Sequence, residues 1–135
     1  ITTYNLGNSR AYRFRDGVLL QLTKDQTKVQ QLYDMGLISE NQIYSHPEKN
    51  IISGYVGCDG FDSKRIDVIT HRERFRRNDM LMLCSDGVSD YISIDEVEDV
   101  LITDNELSIK ADIILDKIYS NGAGDNISLI LVNRL

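Results

Sequence analysis

The sequence predicts an α+β domain of antiparallel strands with helices packed on one side, and three observations carry that expectation. Residues 1–22 read as β structure, with Ala11–Arg15 alternating apolar and basic side chains before an Asp-Gly dipeptide. Two later segments, Ser39-Glu40-Asn41-Gln42 and Ser93-Ile94-Asp95-Glu96, have the capping-box form that opens a helix. Short apolar runs bounded by turn residues, at Met80–Cys84 and at 127–132, have the length and composition of strands.

From the start of the chain, Ile1-Thr2-Thr3-Tyr4-Asn5-Leu6 is β-prone at once. Without an initiator methionine or a lead-in, such a start is expected of a chain cut at a domain edge. Ala11-Tyr12-Arg13-Phe14-Arg15 alternates, Asp16-Gly17 is a hairpin dipeptide, and Val18-Leu19-Leu20-Gln21-Leu22 returns. The alternating arginines predict one buried and one wet face. Val29, Leu32 and Tyr33 fall at helical spacing, with Gly36 placed as a left-handed stop. The Ser39 box opens a second, short helix that His46-Pro47 ends.

Residues 48–65, with Gly54, Gly57 and Asp59-Gly60, keep no period and are expected to be loop. Strands are expected at 66–70 and at Met80–Cys84, joined by the polar stretch 72–79. The Ser93 box opens a helix that buries Val97, Val100 and Leu101. The clearest helix covers about 106–119, with Leu107, Ala111, Ile114, Leu115 and Ile118 in one stripe and Asn121-Gly122 as its stop. Residues 127–132 are apolar on both faces, which predicts a central strand.

Composition narrows the function. A chain of 135 residues suits one domain, 1–135, and its 41% apolar and 27% charged content argues against disorder or a coiled coil. A net charge of −6 speaks against a nucleic-acid surface. No apolar run approaches the ~20 residues of a membrane span, and no basic-then-apolar opening marks a secretory signal. Two cysteines, Cys58 and Cys84, make no disulfide framework, so a reduced, cytoplasmic setting is expected.

Two aspartates stand at the ends of the most apolar strands. Asp86 follows Met80–Cys84 and precedes Gly87, while Asp125 lies in Gly122-Ala123-Gly124-Asp125-Asn126 just before residues 127–132. Carboxylates at strand ends beside glycines can build a site for Mg²⁺ or Mn²⁺, which take oxygen ligands and retain waters. Asp90, four residues beyond Asp86, adds a third carboxylate if a helical turn begins there. Asp-Gly and Gly-Asp-Asn are equally the ordinary chemistry of turns, and both readings stay open on the residues alone. His46 and His71 have no visible partners, and Cys84 reads as a small core residue. Arg72, Arg74, Arg76 and Arg77 form a basic cluster that could hold an acidic partner or simply be solvated.

The motifs together are more specific than any one. Asn5-Leu6-Gly7-Asn8-Ser9-Arg10-Ala11-Tyr12 with Arg15-Asp16-Gly17 resembles a segment of the metal-dependent Ser/Thr protein phosphatases, the protein phosphatase 2C family. Cys84-Ser85-Asp86-Gly87-Val88-Ser89-Asp90 and Gly122-Ala123-Gly124-Asp125-Asn126-Ile127-Ser128 are similar to two more of its motifs. Residues of about 26–54, with His46-Pro47 and Asn50-Ile51-Ile52, look like the flap segment of bacterial members. The resemblance implies the C-terminal portion of a partial α-β-β-α sandwich, without the N-terminal part. It implies hydrolysis of phosphoserine and phosphothreonine by water activated at a two-cation Mn²⁺ or Mg²⁺ centre, with no residue of this chain acting as a covalent catalyst.

By the same resemblance Asp86 and Asp125 are metal ligands, Asp90 helps hold a third cation, and the partners are phosphorylated proteins and a cognate Ser/Thr kinase. Two departures matter. The family's phosphate-binding Arg and its other acidic ligands have no counterpart here, so the isolated chain is expected to be inactive. Asn8 stands where the family has Asp, which weakens a third cation site. The alternative reading is a degenerate, non-catalytic binding or regulatory module. An uncovered sheet edge or face further predicts a homodimer or exchange of elements.

Overall fold

The structure, a computed structural model, describes residues 1–55 and 69–134. The chain opens with β1 (Thr2–Asn5), β2 (Arg10–Arg15) and β3 (Val18–Gln21). Asp16 and Gly17 join β2 to β3 with φ of 52° and 84°, the left-handed pair that a two-residue hairpin needs to match strand twist. Helix α1 (Lys28–Asp34) starts where Thr27 Oγ1 accepts from Gln30 N at 3.2 Å, and Gly36 at φ 70° lets the chain leave it. Helix α2 (Glu40–Ser45) begins at Ser39, whose N–H donates to Gln42 Oε1 at 2.8 Å.

Next come β4 (Ile69–Arg72), β5 (Met80–Cys84) and the single turn α3 (Asp86–Ser89). Two longer helices, α4 (Ile94–Leu101) and α5 (Leu107–Ser120), precede β6 (Leu129–Asn133). The predicted box at the start of α4 is formed, with Ser93 N–H donating to Glu96 Oε2 at 3.0 Å. Cys58 and Asp59-Gly60 lie outside the described residues, as do positions 66–68 of the strand expected at 66–70; within the described residues that strand is β4.

Four strands form one antiparallel sheet in the order β3-β2-β5-β6, and β1 pairs with β4 in a second, two-stranded sheet. Register puts Tyr12 opposite Met82 and Met82 opposite Leu131, so these side chains share a face. Helices α4 and α5 cover that face. Tyr12, Phe14, Met82 and Cys84 pack there against Val97, Leu101, Ile114 and Ile118. Burying each aliphatic side chain contributes about 1.5–3 kcal/mol relative to leaving it in water. Lys110 is buried among them, its Nζ donating to Leu101 O at 2.7 Å and so closing the C-terminal end of α4.

Two expectations are corrected. The arginines of β2 do not face water. Arg13 and Arg15 side chains are 13% and 15% exposed, because Glu73 pairs with both and Asp79 takes two bonds from Arg15, at 2.8 and 2.7 Å. The chain between β4 and β5 thus folds over that end of the outer face and supplies the counter-charges. Nor is β6 central: it is an edge of the four-stranded sheet, with Ile130 56% and Val132 43% exposed. Its inward residues, Leu129 and Leu131, pack on the helices, while its outward apolar residues have no layer over them among the described residues.

The outer face and the β1–β4 sheet enclose a cavity of about 640 Å³, walled by Ile1, Thr3 and Tyr4 on one side and Leu81, Leu83 and Ile130 on the other.

Candidate metal centre

Asp86 is held where β5 gives way to α3. The strand delivers it and Ser85 adopts the extended backbone of an N-cap, so Asp86 becomes the first residue of the turn. Gly87 follows because nothing larger fits. A Cβ there would lie 2.3 Å from Asn126 O and 3.6 Å from Asp125 C, so the two strand-end loops meet backbone to backbone. Ser85 reinforces the contact. Its N–H donates to Ser128 O at 3.1 Å, and its Oγ donates to Asn126 O at 3.2 Å and accepts from Ser128 N at 3.1 Å.

The carboxylates already have partners. Asp86 Oδ1 accepts from Gly87 N at 3.0 Å and Oδ2 from Asn8 Nδ2 at 2.7 Å. A carboxylate only accepts, so Asn8 presents its amino side as a donor rather than an oxygen ligand. Asp90 ends α3, its N–H donating to Asp86 O at 2.9 Å, and its Oδ2 takes Lys49 Nζ at 2.8 Å. Asp125 is exposed, with Oδ1 accepting from Asn126 N at 2.7 Å.

Asp86 and Asp90 line one cavity of about 30 Å³ together with Asn8, Arg10, Asp25 and Lys49. Asp125 does not line this cavity; its backbone, with that of Asn126, lies against Gly87. Among the described residues no three Asp, Glu, His or Cys side chains converge as a ligand cluster.

Two further groups stand at the site, neither of them singled out by the sequence. Arg10 binds Asp25 in a fork, with Nε and Nη2 at 3.0 and 2.7 Å from Oδ1 and Oδ2, and its Nη1 donates to Tyr12 Oη at 3.2 Å. Burial works against the Arg10 charge, but the bonds to Asp25 outweigh it and the guanidinium pKa is raised. Asp25 is thus ion-paired within the protein. Lys49 is the other, brought in by a turn in which its N–H donates to His46 O at 3.1 Å.

The remaining candidates fall on the structural side. Burial pushes the Cys84 thiol up to about 11, which leaves it unreactive. His46 Nδ1 accepts from Glu48 N at 3.1 Å within its own turn. Arg72, Arg74, Arg76 and Arg77 are all exposed.

No protein-family model matches the chain. Curated and solved relatives do. The serine/threonine phosphatase stp of Listeria monocytogenes is 38% identical over 130 residues, which are 96% of this chain and 50% of that protein. The Streptococcus agalactiae serine/threonine phosphatase has the same fold at a TM-score of 0.85 with 25% identity, covering 98% of this chain and 54% of its own. This chain's homologues are bacterial Ser/Thr phosphatases of protein phosphatase 2C type. The chain spans about half the length of the Listeria relatives it matches. It is also similar to the catalytic domain of the serine/threonine protein phosphatase PstP in complex with two manganese ions, at a TM-score of 0.79 and 28% identity over 96% of this chain and 51% of that one.

The carboxylates of Asp86, Asp90 and Asp125 are the kind of donor a hard divalent cation takes. They offer oxygen alone, and Gly87 keeps the junction of the Asp86 and Asp125 loops tight.

Proposed function

We propose that this chain is the C-terminal part, residues 1–135 with a flap at about 26–54, of a phosphoserine/phosphothreonine protein phosphatase that uses Mn²⁺ or Mg²⁺. Asp86 and Asp125 would hold the ion and Asp90 would assist. The observation that supports the reading is the backbone contact of Gly87 with Asn126, the residues that follow the two strand-end aspartates. Bound there, a divalent cation would acidify a water and stabilise charge developing on the phosphoryl oxygens. The protein's own share is positional. Gly87 sets the loop spacing, Asn8 and Gly87 N orient the Asp86 carboxylate, and Arg10 keeps Asp25 from adding uncompensated negative charge to the cavity wall.

The substrates in this reading are phosphorylated Ser and Thr proteins, a cognate Ser/Thr kinase among them, in the cytoplasm; no helix among the described residues is long and apolar enough to cross a membrane. Alone, the chain should turn over little substrate, since its described residues gather no three-ligand cluster. A phosphothreonine peptide assay with Mn²⁺ is expected to give no release above background, and robust metal-dependent turnover would refute the half-site argument.

A second reading, a non-catalytic binding or regulatory module, is favoured by one observation: Asn8 and Lys49 satisfy Asp86 and Asp90 without any ion. Saturable Mn²⁺ binding that Asp86→Asn abolishes supports the phosphatase; no binding supports the module.

A further inference from the structure

We propose that Lys49 is a tethered cation that latches residues 28–54 onto the candidate centre, and that a divalent ion must displace it to reach Asp90. This rests on the reading of Asp90 as a cation ligand and extends it to the segment beside it.

Three features carry the proposal. First, both ends of the pair are fixed: Asp90 by its N–H bond to Asp86 O, and Lys49 by the His46 turn, whose neighbour Ile51 accepts from Lys28 N at 2.9 Å. Second, the segment's other anchors return to its own base. Lys28 Nζ reaches Glu48 Oε1 at 2.5 Å, and Ser53 N donates to Gln26 O at 2.8 Å. Among the described residues, Lys49 to Asp90 is the ion pair that crosses from this segment to α3. Third, space is short. The cavity that Asp90 shares with Lys49 and Asp86 is about 30 Å³ and admits about one or two waters, while Mg²⁺ usually keeps several of its own, so a hydrated ion on that side of Asp90 competes with the ammonium at Oδ2.

Mutual exclusion is a coupling, and coupling is reciprocal. Ion binding at Asp90 frees the segment, and a latched segment weakens ion binding. Asn8 serves the same economy of charge. A carboxylate at position 8 would repel Asp86 and demand an ion, whereas the amide donates to it.

The test is amide hydrogen exchange across residues 38–54, with Mn²⁺ binding followed by the resonance signal of free Mn²⁺. Lys49→Gln and Asp90→Asn should each speed exchange there by about two- to fivefold, the range of an exposed ion pair, and Lys49→Arg should restore protection. Mn²⁺ should loosen the wild-type segment but leave Lys49→Gln unchanged, and Lys49→Gln should bind Mn²⁺ about two- to fivefold more tightly. Unaltered exchange in Lys49→Gln overturns the latch. Equal Mn²⁺ affinity in wild type and Lys49→Gln overturns the competition while the metal reading stands. No Mn²⁺ binding by any variant overturns both the competition and the reading beneath it.

Discussion

On the helix-covered face of the four-stranded sheet Tyr12 and Met82 are 2% and 3% exposed, whereas on the opposite face Leu83, Ile130 and Val132 keep 36%, 56% and 43% of their surface. The same strands supply both sets, one residue apart. Period-two alternation can therefore specify two apolar faces, yet α4 and α5 cover only one. The other is closed at the Arg13 and Arg15 end by ion pairs and otherwise opens onto the large cavity beside β1. Layered folds bury such a face, so the contrast separates a finished core from a surface still able to take another layer.

The contrast is most easily broken from the inside. Ile114→Ala, at a fully buried position, should lower stability by about 2–5 kcal/mol in urea unfolding. At the junction of the two loops, Gly87→Ala forces a methyl to within 2.3 Å of Asn126 O. It should cost about 1–3 kcal/mol and reduce Mn²⁺ binding along with it.

The ion-paired end of the outer face should give a comparable but pH-dependent effect. Hydrogen bonds from Arg15 hold the Asp79 carboxyl down at about 2 against an ordinary 3.8. A depressed carboxylate contributes above its unfolded pKa and loses that contribution as pH falls through the folded one. About 2 kcal/mol should disappear between roughly pH 4 and pH 2. Asp79→Asn should flatten that part of the profile, and an unchanged profile would mean the Arg15 pair adds nothing.

The smallest expected effect is on the open part. Ile130→Ser should move stability by no more than about 0.5 kcal/mol. If this face and the β6 edge join copies of the chain, as the outer edge of β6, unpaired among the described residues, and the exposed apolar residues favour, the same change should lower the light-scattering mass toward one monomer. A wild-type chain that is already monomeric would remove this proposed self-association.

Local chemistry explains what was legible beforehand. The Asp16-Gly17 turn, the Ser39 and Ser93 boxes and the stripe along α5 each write their geometry into adjacent residues, and the structure forms all of them. The strand Met80–Cys84 is equally local. Partnership between distant residues is not. The arginines of β2 read as wet because Glu73 and Asp79 lie about sixty positions away, and β6 read as central because its outward apolar residues imply a cover that no adjacent sequence supplies.

At the candidate centre the same division holds. Asp86 and Asp125 stand out beside glycines at strand ends, and Asp90 by its spacing four residues beyond Asp86. Lys49 does not, since nothing near residue 49 reveals that a turn will carry its ammonium to Asp90. Asn8 was visible as a departure from the family motif, but its use as a donor to Asp86 required the fold.

Lys110 has a practical consequence. Its amine is sealed at the joint of α4 and α5, 6% exposed, while the side chains of Lys24, Lys28, Lys49 and Lys117 are 49%, 45%, 37% and 40% exposed. An acylating reagent should mark those four quickly and reach Lys110 only when the two helices part. Its rate of labelling would serve as a clock for opening of the core, and an enzyme that acetylated it would have to act on a loosened chain.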